Sequence, residues 1–126
     1  MTAAGLAAVG IGAALGAWLR WALAVAFNAA VPNLPLGTLA ANLVGGYLIG
    51  LAVAWLGSSA GLAPEVRLFL ITGFLGGLTT FSTFSSEAVA LLMEARYGWA
   101  AAHIASHLAG SIALTVLGIK TWQWLH

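Results

Sequence analysis

The most informative segment of the chain is GFLGGLTTFSTFSSE, residues 73–87. Nine of its first fourteen residues are glycine, serine or threonine, and a carboxylate, Glu87, follows them. In a water-soluble protein this composition would predict a surface loop. The chain on both sides of the segment is strongly apolar, so the segment needs a different explanation.

The composition of the whole chain predicts a membrane protein. Hydrophobic residues make up 62% of the 126 residues and charged residues only 6%, whereas soluble domains are about 25% charged. A chain of this size cannot bury so much apolar surface in one small core. The net charge of +1 gives no reason to expect a nucleic-acid partner, and we predict neither a nucleic-acid complex nor an enzyme.

Turn-forming residues divide the chain into four predicted membrane spans. The turns lie at 28–35, 57–64 and 94–98, which leaves spans at about 3–27, 37–56, 65–95 and 98–123. A spanning helix needs roughly 20 mostly apolar residues, and each stretch is long enough. We therefore predict an all-α membrane protein in which residues 1–126 form a single four-span transmembrane domain.

Two glycine spacings predict close helix packing. Gly12-x-x-x-Gly16 lies in the first span and Gly46-x-x-x-Gly50 in the second. Small residues four apart let neighbouring helices approach closely in a membrane. Such spacings recur by chance among 16 glycines, so we interpret both as packing features rather than as functional sites.

The few basic residues do not favour one orientation in the membrane. Lysine and arginine normally mark the cytoplasmic side of short loops. Here Arg67 and Lys120 lie toward the side of the termini, and Arg20 and Arg96 lie toward the other side. One dominant charge could still set a single orientation. We favour the alternative, in which the chain inserts both ways and assembles as an antiparallel, dual-topology homodimer.

The third predicted span is too long for one regular crossing, and residues 73–87 lie near its middle. Gly76 and Gly77 each weaken a helix by about 1 kcal/mol, and the threonines that follow offer hydroxyls to nearby carbonyls. We therefore predict an unwound segment near residues 75–80, so that the third helix is broken mid-membrane. Such a break frees carbonyl oxygens that can bind a cation. The alternative is a continuous helix whose glycines allow tight packing.

Polar residues follow one face of each of the last three spans at helical spacing. Polar groups inside a membrane usually face a bundle interior or a water-filled path, and several weak sites in a row are what conduction requires. Three such lines therefore favour a conduit over a simple hydrogen-bonded seam. The lines comprise Thr38, Asn42, Gly45 and Gly46; Thr80, Thr83 and Glu87; and His103, Ser106, His107, Gly110, Ser111 and Thr115.

Two phenylalanines, Phe81 and Phe84, lie three residues apart and project to neighbouring angles on a helix. The positive edges of two rings beside hydroxyl donors can line a passage for a small anion, although the spacing alone favours simple packing. Glu87 would either carry protons in a transporter or accept a hydrogen bond that orients Thr83. Arg20 either snorkels to the interface or attracts anions at a wet vestibule.

These residues resemble the signature of the CrcB/Fluc fluoride channels. GFLGGLTTFSTF at 73–84 carries the likeness, and GAALGAWLRW at 12–21 and GTLAANLVGGYLIG at 37–50 support it. The resemblance covers essentially the whole chain. It implies a four-span channel domain for passive fluoride export, in contact with lipid of the bacterial inner membrane. It also implies an antiparallel, dual-topology homodimer with two pores.

The resemblance implies roles for individual residues as well. A structural sodium ion at the dimer centre would be held by the backbone carbonyls of Gly76 and Thr79. Arg20 would lie near the vestibule. The role of Glu87 as an acceptor that orients Thr83 is inferred from the residues themselves and not from the resemblance. The family pattern leads us to expect a tyrosine where this chain has His103. The predicted fluoride pore comprises Phe81, Phe84, Asn42, Ser82, Thr83, Ser111, His103 and Thr38.

A proton-coupled exporter like those of the small multidrug resistance family is the alternative function. Those proteins are also short, four-span, dual-topology dimers, but they need a carboxylate deep in the first span. The first span of this chain carries Arg20 and no acid, so Glu87 would have to substitute from the third span. A non-conducting scaffold would leave the three polar lines unexplained.

Overall fold

Helices account for most of the chain in a computed structural model, which describes all residues from 1 to 126. Helix α1 spans Ala3–Phe27 and α2 spans Leu36–Ser58. Helix α3 comprises Pro64–Arg67, a π-helical turn at Leu68–Leu75, and Gly76–Leu78. Helix α4 spans Phe81–Met93 and α5 spans Tyr97–Leu125.

Four stretches are long and apolar enough to cross a membrane. They are α1, α2, α5 and the third span Pro64–Met93, which contains both α3 and α4. Each predicted bound lies within two residues of the observed one. The chain is therefore an all-helical, multi-pass membrane protein, as the sequence predicts.

The third span is interrupted, but the unwound part is shorter than predicted. Thr79 has φ −86° and ψ 154°, and Thr80 has φ −148° and ψ 122°, so both are extended. Gly76 and Gly77 remain helical. The two threonines, rather than the two glycines, therefore form the break. Nothing in the sequence predicts the π-helical turn that precedes it.

Glycines determine how closely the helices approach. Helix α1 packs mainly on α3, and α2 packs mainly on α5. A Cβ atom at Gly16 would overlap the carbonyl oxygen of Phe74, and a Cβ atom at Gly50 would overlap that of Thr115. These backbone contacts confirm the predicted packing role of both glycine spacings.

Replacing Gly16 with alanine is expected to destabilise the protein, because the new methyl group would overlap the backbone of α3. Overpacking of this kind costs about 1–3 kcal/mol. The matched control is Gly10→Ala in the same helix, where no atom lies within 4 Å of the added Cβ and alanine is favoured by about 1 kcal/mol. Thermal unfolding in detergent, followed by loss of the folded gel-filtration peak, compares the two variants. Equal melting temperatures would contradict the packing role of Gly16.

Candidate functional site

An open groove of about 450 Å³ lies beside the break between α3 and α4. Its walls come from α2, α3, the break, α4 and α5, so it is bordered by all three predicted polar lines. Six of the predicted site residues line it, together with His107: Asn42, Gly76, Thr79, Phe81, Phe84 and Ser111.

Asn42 of α2 holds the unwound backbone. Its Oδ1 accepts a hydrogen bond from the Thr80 amide at 2.8 Å, and its Nδ2 donates to the Thr80 carbonyl at 3.0 Å. The same Nδ2 lies 3.0 Å from Nδ1 of His107, which has to accept because an amide nitrogen only donates. Neutral His107 therefore carries its ring proton on Nε2. One amide side chain thus supplies hydrogen bonds that the broken helix lacks.

The carbonyls of Gly76 and Thr79 are among those that lose their helical donors at the break. In a continuous helix the amides of Thr80 and Thr83 would donate to the carbonyls of Gly76 and Thr79. Instead, the Thr80 amide donates to Asn42, and the Thr83 amide donates to Thr80 Oγ1 at 3.1 Å. Gly76 is also exposed. Carbonyl oxygens are ligands that hard cations accept, so these two residues have the ligand type required for the sodium ion that the family resemblance implies.

Arg20 of α1 also contacts the break. Its Nε donates to the Gly77 carbonyl at 2.9 Å, and in a continuous helix that carbonyl would accept from the Phe81 amide. The guanidinium therefore replaces a lost backbone donor. Neither sequence-based interpretation of Arg20, at the lipid interface or at a vestibule, included this contact.

Four aromatic rings from α4 and α5 pack together beside the groove: Phe81, Phe84, His103 and His107. The centroids of Phe81 and Phe84 are 5.4 Å apart with planes at 58°, which confirms that the two rings are neighbours. Phe84 lies against His103 at 5.3 Å and against His107 at 4.8 Å. Phe81 is 72% exposed, whereas Phe84 and both histidines are buried. The Phe81 ring is therefore accessible at the edge of the groove, whereas Phe84 belongs to a packed cluster.

Glu87 lies at the far end of this cluster and joins α4 to α2. Thr38 Oγ1 donates to Glu87 Oε2 at 3.0 Å, and Asn28 Oδ1 accepts from the Thr38 amide at 3.0 Å. One of the two sequence-based interpretations of Glu87 made it the acceptor for Thr83, but its hydrogen-bond partner is a different threonine. Glu87 bonds instead to Thr38 across the interface between α2 and α4, and the Thr83 amide is capped by Thr80.

A second, smaller cavity of about 180 Å³ lies beyond Glu87. Glu87 lines it together with Arg96, which bonds to Asn33 and forms an ion pair with Glu94 at 3.0 Å. The buried cluster of Phe84, His103 and His107 therefore separates the central groove from this end cavity.

The structure brings most of the predicted site residues together, but two of them lie apart. Ser82 is exposed, Thr83 is half-buried, and neither lines the groove or the end cavity. Ser106, from the third polar line, bonds only to the carbonyls of Ala102 and His103 in its own helix. The three polar lines therefore meet through a subset of their members.

Two central residues were not among the predicted pore residues. His107 lies one helical turn after His103 on the same polar line, so its spacing was a usable signal. Thr80 was recognised only as a member of a polar line. Its N-cap bond to Thr83 and its pairing with Asn42 depend on where the break falls, which spacing does not determine.

Comparison with known proteins gives consistent matches over almost the whole chain. A protein-family model described as CrcB-like protein, Camphor Resistance (CrcB), matches residues 7–119. Relatives from Cupriavidus taiwanensis and Cupriavidus pinatubonensis are 64% identical over 121 residues, which is 96% of this chain and 96% of each relative. A relative from Pseudomonas paraeruginosa is 57% identical over 118 residues, 94% of this chain and 93% of the relative. All three relatives are named fluoride-specific ion channel FluC.

Proposed function

This chain belongs to the CrcB family, and from that membership we propose that it is a fluoride-specific ion channel that lets cytoplasmic fluoride leave the cell passively. The observation that carries the proposal is its 64% identity, over 96% of both chains, to proteins named as fluoride-specific channels. Those relatives are named as channels, which supports a channel and not the proton-coupled alternative. The hydrogen bond between Glu87 and Thr38 gives the carboxylate a local structural role instead.

Within one protomer, fluoride would pass from the central groove to the end cavity. It would enter along Phe81 and Ser111, cross the cluster at Phe84 and His107, and leave past Glu87. The Nε2 atom of His107 is buried and has no partner, and it carries the ring proton because Nδ1 accepts from Asn42. A free N–H donor beside aromatic ring edges suits a small anion. Several weak contacts of this kind allow an ion both to enter and to leave.

The protomer supports assembly with a second copy. Its central groove is open on one side, and Phe81 at that opening is 72% exposed. A second chain, inserted in the opposite orientation, would close the groove and cover Phe81. The even distribution of the four basic residues permits both orientations. The functional unit of the proposal is therefore an antiparallel homodimer with two pores, embedded in lipid of the bacterial inner membrane.

A structural sodium ion at the dimer centre is part of this proposal. The carbonyls of Gly76 and Thr79 lack their helical donors because Asn42 and Thr80 use the amides concerned. The same two carbonyls from each copy would supply oxygen ligands for the ion. Sodium would thereby compensate for backbone groups that lipid cannot satisfy.

Fluoride efflux from proteoliposomes tests the proposed function. Liposomes loaded with potassium fluoride should release fluoride down its gradient when valinomycin balances the charge, with no proton gradient present. A fluoride electrode measures the release, and protein-free liposomes and chloride-loaded proteoliposomes serve as controls. Failure to release fluoride, or release only when a proton gradient is imposed, would contradict the proposal.

A further inference from the structure

We propose that Glu87, His103 and His107 form a binding site for a divalent transition-metal ion, with Zn²⁺ as the best match, between the central groove and the end cavity. One ligand atom from each residue lies within 4.8 Å of those of the other two. His103 is fully buried, and His107 is 3% exposed. Two imidazoles and one carboxylate form a donor set that Zn²⁺ binds while keeping a fourth position open.

Unpartnered polar atoms in this cluster point to a ligand. Glu87 Oε1, His103 Nδ1 and His107 Nε2 are all buried and make no hydrogen bond. A buried polar atom without a partner costs about 1–3 kcal/mol. His103 Nε2 lies 3.3 Å from the Phe84 carbonyl and 4.0 Å from Glu87 Oε1, and as the donor to that carbonyl it leaves Nδ1 as a bare acceptor. Bare acceptors on both His103 and Glu87 are atoms that a cation can bind.

The contacts around two of the three ligands are those that a metal site requires. His103 donates to the Phe84 carbonyl, and Thr38 holds the other carboxylate oxygen of Glu87 at 3.0 Å. Such contacts fix the orientation of metal ligands and are worth about 10–100-fold in metal affinity. Ligand atoms around tetrahedral zinc lie about 3.3 Å apart when each bond is about 2.0 Å. Side-chain movements of about 1.5 Å would therefore complete the site.

Asn42 opposes the third ligand. Thr80 fixes the orientation of the Asn42 amide, which directs Nδ2 at Nδ1 of His107. A metal at His107 Nδ1 would displace that hydrogen bond. A metal at Nε2 would move the ring proton to Nδ1, where it would meet the Asn42 donor. Metal binding thus separates Asn42 from His107 in either case, and we expect affinity about 10–100-fold below that of a fully supported site.

The position of the cluster indicates what a bound metal would do. His107 lines the central groove and Glu87 lines the end cavity, so the ion would lie on the route between them. A dication at that point would fill the route and would hold an arriving anion. The metal site stands on the geometry of the cluster alone, whereas this blocking effect rests on the proposed function.

Titration calorimetry with ZnCl₂ on the tag-free protein in detergent tests the site. One Zn²⁺ per chain is expected. Glu87→Gln keeps an oxygen that can accept the hydrogen bond from Thr38, and His103→Tyr keeps an aromatic ring at this position but removes the imidazole nitrogens. Each variant should bind Zn²⁺ at least about tenfold more weakly than the wild type. His126→Ala is the matched control, because His126 is the remaining histidine and is exposed on Trp122. Absence of binding to the wild-type protein, or equal binding by His103→Tyr, would overturn the proposal.

Fluoride efflux with Zn²⁺ on both faces of the proteoliposomes tests the block. Each variant is compared with itself, with and without micromolar Zn²⁺. We expect at least a tenfold loss for the wild type and His126→Ala, reversed by EDTA, and less than a twofold loss for His103→Tyr. If calorimetry shows Zn²⁺ binding but Zn²⁺ does not change efflux, the proposed inhibition of efflux is wrong and the proposed metal site still stands. Absence of efflux even without Zn²⁺ would overturn the proposed function, while calorimetry would still decide the site.

Discussion

Replacing Phe81 with isoleucine is expected to reduce fluoride efflux by about tenfold while leaving the fold intact. The Phe81 ring is 72% exposed beside the central groove, so its removal costs little packing within the protomer. The positive edge of an aromatic ring attracts an anion, and an aliphatic side chain has no such edge. A loss of about 1.4 kcal/mol at the barrier corresponds to about a tenfold change in rate. Fluoride release from proteoliposomes measures the loss.

The control for this prediction is Tyr97→Ile, which also exchanges an exposed aromatic ring for isoleucine. Tyr97 is 66% exposed and lines neither the groove nor the end cavity, so its replacement should leave efflux unchanged. Phe84 is less suitable, because it is buried against two histidines and its loss would also weaken the packing. Wild-type efflux from Phe81→Ile would assign Phe81 to packing alone.

Replacing Asn42 with leucine is expected to abolish efflux and to destabilise the protein by about 2–6 kcal/mol. The Thr80 amide and carbonyl would both lose their partner, as would His107 Nδ1. Each unsatisfied buried group costs about 1–3 kcal/mol, and the two backbone groups of Thr80 account for the range. Thermal unfolding in detergent measures the stability, and proteoliposome efflux measures the activity of the protein that remains folded.

Asn42→Asp separates the contributions of the two ends of the amide. The aspartate retains an acceptor for the Thr80 amide but removes both donations from Nδ2. Its melting temperature should therefore lie between those of the wild type and Asn42→Leu. A leucine variant as stable as the wild type would show that Asn42 does not hold the break.

The membrane spans could be predicted because they depend only on local composition. Hydrocarbon selects for long apolar helices, so span bounds appear directly in the sequence, as at 3–27. The break was harder to place. Helix propensity points to Gly76 and Gly77, yet Thr79 and Thr80 unwind. The reason is a partner 38 residues away, Asn42, which satisfies the extended backbone of Thr80.

The candidate site shows the same division between local and distant contacts. The neighbouring rings of Phe81 and Phe84 follow from helical spacing and were predicted. The partner of Glu87 was not, because Thr38 lies on another helix and reaches the carboxylate only after α2 has packed beside α4. The hydrogen bond from the Thr38 amide to Asn28 Oδ1 likewise spans the loop between α1 and α2. The sequence of that loop does not predict its conformation.

The pairing of Asn42 with Thr80 also constrains how the chain enters the bilayer. Before α2 is docked, the amide and carbonyl of Thr80 would face hydrocarbon with no partner, and each such group costs several kcal/mol. In hydrocarbon the third span therefore has its backbone fully paired only when the second span is docked against it, so one asparagine side chain couples the two spans during assembly.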